Sequence, residues 1–136
     1  MLPAWAGSFS CSYNNLTSLV GSPSTVGGYF SCSNNKLTSL EGAPKFTRGD
    51  FICQNNNIFS FHHFPRFDGT FNCYGNPIYN VWILFENEID VEFLNDYDAL
   101  RFKDGEPIII YDRLNAFLEE TNRPTVETVE GYKMIH

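Results

Sequence analysis

The first 78 residues alternate hydrophobic and polar positions in a pattern that returns four times. Each copy reads F-x-C-x-x-N-x-(L/I), and the cysteines follow one another at intervals of 21, 21 and 20 residues. The copies begin at Phe9, Phe30, Phe51 and Phe71, and their cysteines are Cys11, Cys32, Cys53 and Cys73. Because side chains alternate between the two faces of a strand, the Phe and the Cys of each copy are predicted to share one buried face. A single copy cannot bury them alone, so the pattern predicts stacked repeats with a continuous core.

Three other residue types recur at matching positions and predict how each repeat turns. An asparagine follows each cysteine by three residues, and its amide can satisfy backbone groups of neighbouring repeats. A glycine precedes each phenylalanine by two residues, which suits either positive φ or a close approach of two backbones. A proline opens each unit and favours an extended return segment over a helix. These residues are Asn14, Asn35, Asn56 and Asn76; Gly7, Gly28, Gly49 and Gly69; and Pro3, Pro23, Pro44 and Pro65.

The period and the pattern resemble the leucine-rich repeat, with Phe and Cys in the two inward strand positions. More closely, the stretch CSNNKLTSLEGAP resembles the short repeats of small proteins of tailed bacteriophages. In those proteins similar repeats precede a tail that resembles NPIYNVWILF and LNDYDALRF…YDRLNAFLEE, so the resemblance covers nearly the whole chain. It implies a leucine-rich-repeat-like solenoid and a viral origin, and it carries no known activity or catalytic residue.

The repeat period stops after Asn76-Pro77, where helical spacing of apolar residues replaces it. Helical faces are indicated at Ile78, Trp82 and Phe85; at Phe93, Tyr97 and Leu100; and most clearly at Ile110, Leu114, Phe117 and Leu118, ending before Asn122-Arg123-Pro124. The stretch VETVEGYKMI favours a short strand or an extended segment. We therefore predict an α+β fold: a solenoid of about four 20–21-residue repeats with parallel strands in residues 1–78, and a mainly helical, acidic capping region in residues 79–136.

The net charge of −7 is concentrated in the second half of the chain. Residues 1–85 carry four basic and three acidic residues, whereas residues 86–136 carry five basic and thirteen acidic residues. This balance argues against nucleic-acid binding, which needs clustered Lys and Arg; the acidic half is either a solvated surface or a face for a basic partner. No apolar run is long enough to span a membrane. The N-terminus lacks the features of a secretory signal, so we expect a cytoplasmic protein, in the host cytoplasm if it is viral.

The cysteines and histidines offer little catalytic chemistry. Four inward cysteines predict an inert apolar ladder; a metal site or a disulfide framework is the alternative, although parallel Cβ vectors suit neither. His62 and His63, in the stretch SFHHFP, are predicted on a solvent-facing bend with Phe61 and Phe64 packed inward. Residues 79–136 contain no Cys and only the terminal His136, which excludes an ordinary Ser-His or Cys-His pair there. We expect no enzyme activity, no metal and no cofactor.

Strand residues that point away from the predicted core form the candidate binding face. On this face the first copies have serines and Tyr29, and the later copies have larger side chains. Ser31 and Ser33 are among the serines that are predicted to face solvent. Tyr is a frequent hot-spot residue, so this face is a candidate protein-binding surface; the alternative is a sheet face that only contacts water. The candidate binding residues are Tyr29, Asp50, Ile52, Gln54, Thr70, Asn72 and Tyr74.

The leading functional hypothesis is a non-enzymatic protein–protein interaction module, which would bind a host protein if the viral resemblance holds. The alternative is a structural, self-assembling component of a viral particle or assembly. The expected partner is a protein, with no nucleic acid and no membrane. We also expect a homodimer through the edge of the N-terminal repeat, because no charged residue precedes Lys36 and an uncharged strand edge readily pairs with another chain.

Overall fold

The computed structural model describes residues 4–85 and 89–136, which divide into two compact units. The first unit runs to Ile58 and continues with His62–Asn76. The second unit consists of Phe59–Phe61 and Pro77–His136. Pro3, the first of the four prolines that were predicted to open the repeats, lies outside the described residues.

Two parallel sheets of short strands make up the part of the first unit that the structure describes. One sheet has the strand order β1-β3-β5-β7, and the other has the order β2-β4-β6. Consecutive strands along the chain therefore belong to different sheets, and the parallel strands predicted from the repeats are confirmed. The strands are β1 Phe9–Ser10, β2 Thr25–Val26, β3 Phe30–Ser31, β4 Phe46–Thr47, β5 Phe51–Ile52, β6 Arg66–Phe67 and β7 Phe71–Asn72.

Equivalent phenylalanines are in register across the four-stranded sheet and stack on one another. Phe9 pairs with Phe30, Phe30 with Phe51, and Phe51 with Phe71. Successive ring centroids are 5.9, 5.3 and 5.7 Å apart. Phe30 and Phe51 are fully buried, whereas Phe9 is half-buried because a strand flanks β1 on one side only. The inward orientation of the Phe position is confirmed, and its burial weakens at the first copy.

Asparagine side chains join the neighbouring repeats through the backbone. Asn56 Oδ1 accepts a hydrogen bond from the Leu37 N–H at 3.0 Å. Its Nδ2 donates to the carbonyl oxygens of Cys32 at 3.1 Å and Cys53 at 3.2 Å. The equivalent asparagines of the second and fourth copies make the corresponding bonds. The predicted role of the amide, satisfying backbone groups of two repeats at once, is therefore confirmed.

The glycine two residues before each Phe was predicted to serve either positive φ or a close backbone approach. At Gly69 the reason is close approach. A Cβ there would lie 2.3 Å from Asp50 Oδ1 and 2.7 Å from the carbonyl carbon of Gly49. Neighbouring repeats therefore come too near at this point for any larger side chain.

Positive φ occurs instead in the turn after each cysteine. The equivalent residues are Tyr13, Asn34, Asn55 and Gly75, with φ of 59°, 59°, 56° and 80°. Gly adopts this left-handed region freely and Asn tolerates it, whereas a Tyr there costs about 1–2 kcal/mol. Tyr13 therefore strains the backbone at this turn, whereas the other three copies have residues that tolerate positive φ.

In its described residues, the second unit contains three helices and a mixed three-stranded sheet. Its central strand, β9, is antiparallel to β8 and parallel to β10. The elements are α1 Tyr79–Trp82, α2 Ile89–Tyr97, β8 Leu100–Lys103, β9 Glu106–Ile110, α3 Tyr111–Glu120 and β10 Lys133–Ile135. The α+β class is thereby confirmed, as are the helix predicted before Asn122 and the strand in the last stretch. Within the two described ranges, no helix has the length and apolar character needed to cross a bilayer.

The β8–β9 hairpin was not predicted. Its two-residue turn is Asp104-Gly105, with φ of 53° and 81°, and Lys103 pairs with Glu106 across it. An Asp-Gly pair with positive φ at both residues suits a type I′ turn, whose twist matches that of two antiparallel strands. The placement of Leu100 on a helical face is therefore wrong, because Leu100 begins β8.

Aromatic packing holds the second unit together. The Phe117 ring is fully buried, and its centroid lies 5.8 Å from that of Phe85. The Phe61 ring is also fully buried, and its centroid lies 5.6 Å from that of Phe85. The Arg123 guanidinium lies 5.9 Å from the Phe117 centroid and pairs with the Asp90 carboxylate. A charged side chain on α2 is thus tied to the segment that follows α3.

Candidate functional site

The seven candidate binding residues lie on one face of the four-stranded sheet, in three rows that cross the strands. Backbone hydrogen bonds continue the register beyond the strand ends: Phe30 N–H donates to Asp50 O at 2.9 Å, and Asn55 N–H donates to Tyr74 O at 2.9 Å. The rows read Tyr29, Asp50 and Thr70; then Ser31, Ile52 and Asn72; then Ser33, Gln54 and Tyr74. We refer to these nine positions as the outward face.

Two tyrosines mark opposite corners of the outward face. Tyr29 is 45% exposed and Tyr74 is 63% exposed. Strand spacing and rise place their Cα atoms roughly 10 Å apart across the strands and roughly 13 Å apart along them. Between them, Ile52 and Gln54 are half-buried. The face therefore offers two accessible aromatic side chains with a lower, mixed surface between them.

Three of the candidate residues are linked to one another. Asp50 Oδ1 accepts hydrogen bonds from the Thr70 N–H at 2.8 Å and from the Thr70 hydroxyl at 3.0 Å. Asn72 Nδ2 donates to the same hydroxyl at 3.3 Å. Asp50 thus ties the segment before β5 to the segment before β7, and part of its hydrogen-bonding capacity serves the fold.

The serines of the second repeat do not form the solvent-facing surface that was predicted. Ser31 is only 8% exposed, and Ser33 is also buried. The Ser31 hydroxyl lies 2.6 Å from the Ser12 hydroxyl and 3.4 Å from that of Ser33. A serine side chain is short, and Ser31 belongs to β3, which lies between β1 and β5, so an outward direction does not produce exposure here.

The strand β1 forms one edge of the four-stranded sheet. The Phe9 N–H donates to Tyr29 O at 2.9 Å, and the Cys11 N–H donates to Ser31 O at 2.8 Å. Because backbone groups of alternate residues point to opposite sides of a strand, the N–H and C=O of Ser10 point away from β3. Trp5, Tyr13 and Val20 of the same repeat are exposed, and Tyr13 is 81% exposed. Among the described residues, this end of the first unit therefore combines an open strand edge with exposed apolar side chains.

The chain matches no protein-family model, no curated protein and no solved structure.

All four cysteines are free thiols, and three of them are buried. Burial raises the pKa of the Cys73 thiol to about 12. Burial also raises the pKa values of Cys32 and Cys53, and neighbouring cysteines add to the shift. Cys11 is only half-buried, which corrects the prediction that every copy hides its cysteine; β1 has a neighbouring strand on one side only. In the part of the chain that the structure describes, no three His, Cys, Asp or Glu residues are grouped to hold a metal ion.

Thiol labelling of the native protein is expected to distinguish Cys11 from the other three cysteines. The thiolate is the reactive form, and burial raises the pKa of all four thiols, which lowers the thiolate fraction near neutral pH; Cys11, however, is only half-buried and is therefore more accessible to the reagent. Cys11 should react first, Cys32, Cys53 and Cys73 should react slowly, and four thiols should react after unfolding. Peptide mapping of the labelled protein would identify the sites. Fast native labelling of all four, or fewer than four thiols after unfolding, would contradict this expectation.

The bend of the third repeat has an unusual backbone conformation at His63. His62 and His63 are exposed, as predicted. His63, however, has a φ of 64°, and the equivalent residues of the two preceding repeats are Gly21 and Gly42, with φ of 99° and 86°. The sequence shows that His replaces Gly at this repeated position. Only the structure shows that the position has positive φ, which makes a non-glycine residue unusual there.

Proposed function

We propose that the chain is a non-enzymatic protein-interaction module that binds a protein partner through the outward face. The observation that carries the proposal is the pair of exposed tyrosines, Tyr29 and Tyr74, held at opposite corners of an in-register sheet. Tyrosine supplies a large contact area at low entropic cost and is enriched among interface hot spots. If the resemblance to bacteriophage proteins holds, the partner is a host protein and the compartment is the host cytoplasm.

The scaffold for this face is, in our proposal, a leucine-rich-repeat-like solenoid. The 20–21-residue period, the in-register strands and the repeated asparagine bonds support it. Stacked repeats of this kind hold side chains at regular spacing on a rigid surface. The capping role of residues 79–136 stays a prediction.

The proposal predicts that binding depends on the two tyrosines. Wild-type protein and the Tyr29→Ala/Tyr74→Ala double variant would be used to capture proteins from a bacterial host lysate, followed by mass spectrometry. A partner captured only by the wild type would then be purified for titration. Each hot-spot truncation costs about 2 kcal/mol or more, so losing two costs about 4 kcal/mol and the double variant should bind on the order of 1,000-fold more weakly.

Tyr13→Ala is the matched control, because Tyr13 is exposed but lies outside the outward face. It should bind the partner as the wild type does. Equal affinity of the double variant and the wild type would contradict the assignment of the binding face. Loss of binding in the Tyr13 variant alone would move the site to the end of the first repeat.

A second candidate function is self-assembly, favoured by the open edge of β1 and the exposed side chains of Trp5 and Val20. Two copies of Ser10, related by a two-fold axis, could exchange their outward N–H and C=O groups in an antiparallel pair. Strand edges without charge or bulges are prone to such pairing. This arrangement gives a homodimer through the N-terminal repeat, and a structural role would follow from further contacts between dimers.

Sedimentation analysis tests this edge directly. The wild type is expected to sediment as a dimer at high micromolar concentration, and Ser10→Lys is expected to be monomeric, because a charged side chain on an edge strand opposes pairing. Thr70→Lys adds the same charge to an exposed position on another strand segment and should leave the dimer intact. A wild type that stays monomeric throughout would rule out the dimer.

A further inference from the structure

The segments 42–46 and 63–66 of the first unit enclose a groove with a volume of about 560 Å³. Its apolar lining includes Phe46 and Phe64, and three basic or titratable side chains, Lys45, His63 and Arg66, also line it. No carboxylate is among the lining residues in the described part of the chain. The groove lies apart from the outward face, since none of the nine positions of that face lines it.

The basic side chains of the groove are available to a ligand. Lys45, His63 and Arg66 are exposed. Among the residues that the structure describes, Lys45 and Arg66 form no ion pair and no side-chain hydrogen bond. Arg66 N–H donates to Lys45 O at 3.0 Å, so the backbone of Arg66 in β6 lies next to that of Lys45, the residue before β4. On a chain with a net charge of −7, such a groove is a local positive region that attracts anions.

The backbone at His63 is a second, independent observation. His63 has positive φ where the two preceding repeats have glycine, so the chain carries strain that a glycine would remove. Residues held in sparsely populated backbone conformations cluster at ligand-binding and active sites. The strain places an imidazole, which can donate a hydrogen bond, beside the two cationic side chains.

We propose that this groove binds a small organic phosphate whose uncharged part is a flat ring. Arg offers up to five N–H donors, Lys three and His one or two. These donors outnumber the hydrogen bonds that a single carboxylate can accept. They suit a phosphate monoester, which has three free oxygens and a double negative charge. Phe46 and Phe64 are half-buried, and Phe64 also packs against Phe71 at a centroid distance of 4.9 Å; the parts of the two side chains that line the groove provide aromatic surface for the ring. The volume lies within the range of about 300–1,000 Å³ typical of small-molecule sites.

Isothermal titration of the full chain with phenyl phosphate tests the site. Inorganic phosphate tests the charge alone, benzyl alcohol tests the ring alone, and adenosine monophosphate distinguishes a nucleotide from a simpler aryl phosphate. Phenyl phosphate should bind saturably at one site, at least about fivefold more tightly than inorganic phosphate, and benzyl alcohol should not bind measurably. Tighter binding of the nucleotide than of phenyl phosphate would assign the site to nucleotides, and weaker binding would assign it to aryl phosphates.

Variants connect the binding to the groove. Arg66→Gln and Lys45→Gln should each weaken phenyl phosphate binding about tenfold. Lys36→Gln is the matched control, because Lys36 is exposed outside the groove, and it should bind as the wild type does. His63→Gly should weaken binding about threefold or more and at the same time raise the thermal midpoint of unfolding, a combination that simple damage to the fold cannot produce.

Three results would overturn the proposal. The first is no saturable binding of phenyl phosphate up to about 10 mM. The second is unchanged affinity in both Arg66→Gln and Lys45→Gln. The third is equal affinity for inorganic phosphate and phenyl phosphate, which would remove the role of the ring.

Discussion

Replacing Asn56 with alanine is expected to lower the free energy of unfolding by about 3–5 kcal/mol. The Asn56 amide accepts from the Leu37 N–H and donates to the carbonyl oxygens of Cys32 and Cys53. Alanine leaves these part-buried backbone groups without their partner, and each such group costs about 1–3 kcal/mol. Urea unfolding followed by circular dichroism would measure the change.

Asn57→Ala is the matched control for this substitution. Asn57 is exposed and adjacent in sequence, and its backbone N–H, which donates to Leu37 O at 2.8 Å, is retained in the alanine variant. The free energy of unfolding should change by no more than about 0.5 kcal/mol, as is usual for surface substitutions. Equal destabilisation by the two variants would show that the amide bonds are not what holds neighbouring repeats together.

Replacing Phe51 with alanine is expected to lower the free energy of unfolding by about 3–5 kcal/mol. The Phe51 ring is fully buried, and its centroid lies 5.3 Å from that of Phe30 and 5.7 Å from that of Phe71. Alanine removes both contacts and leaves a cavity that the in-register strands cannot close, because their spacing is set by backbone hydrogen bonds. Chemical denaturation would measure the loss, with Phe51→Leu as a milder variant if the alanine variant does not fold.

The same substitution at Phe9 provides the comparison. Phe9 belongs to the same row but is half-buried, with a stacked neighbour in the row on one side only. Phe9→Ala should therefore cost about 1–2 kcal/mol, since less apolar area leaves the core. If Phe9→Ala were as costly as Phe51→Ala, the graded burial along the row would not reflect the energetics of the sheet.

These two expectations separate stability from binding. The asparagine bonds and the phenylalanine row lie on the buried side of the four-stranded sheet or at its turns, whereas Tyr29 and Tyr74 are exposed on the outward face. Substitution of the two tyrosines should leave the free energy of unfolding nearly unchanged. A binding defect in the double variant can therefore be attributed to lost contacts, which makes the proposed interaction face directly testable.

Much of the first unit could be predicted from the sequence, because a repeat makes each residue type appear at the same structural position several times. The F-x-C pattern identified the buried positions, and the recurring asparagine identified the bond between repeats. The interval of 20–21 residues implied strands in register, as the Phe30–Phe51–Phe71 pairing shows. In the second unit, the apolar spacing indicated helices at Trp82, at Phe93 and Tyr97, and most clearly in the stretch that forms α3.

The tertiary structure decided which of the equivalent positions differ. Cys11 and Cys32 occupy the same place in the pattern, yet Cys11 is half-buried and Cys32 is fully buried, because burial depends on the strands on each side. Ser31 is buried for the same reason, although its direction along the strand was predicted correctly. The positive φ of Tyr13 and His63 also required coordinates, since a departure from a repeat shows a change of residue without showing the backbone angle. A sequence pattern determines which residues are equivalent, and neighbours brought together by the fold determine how each one is used.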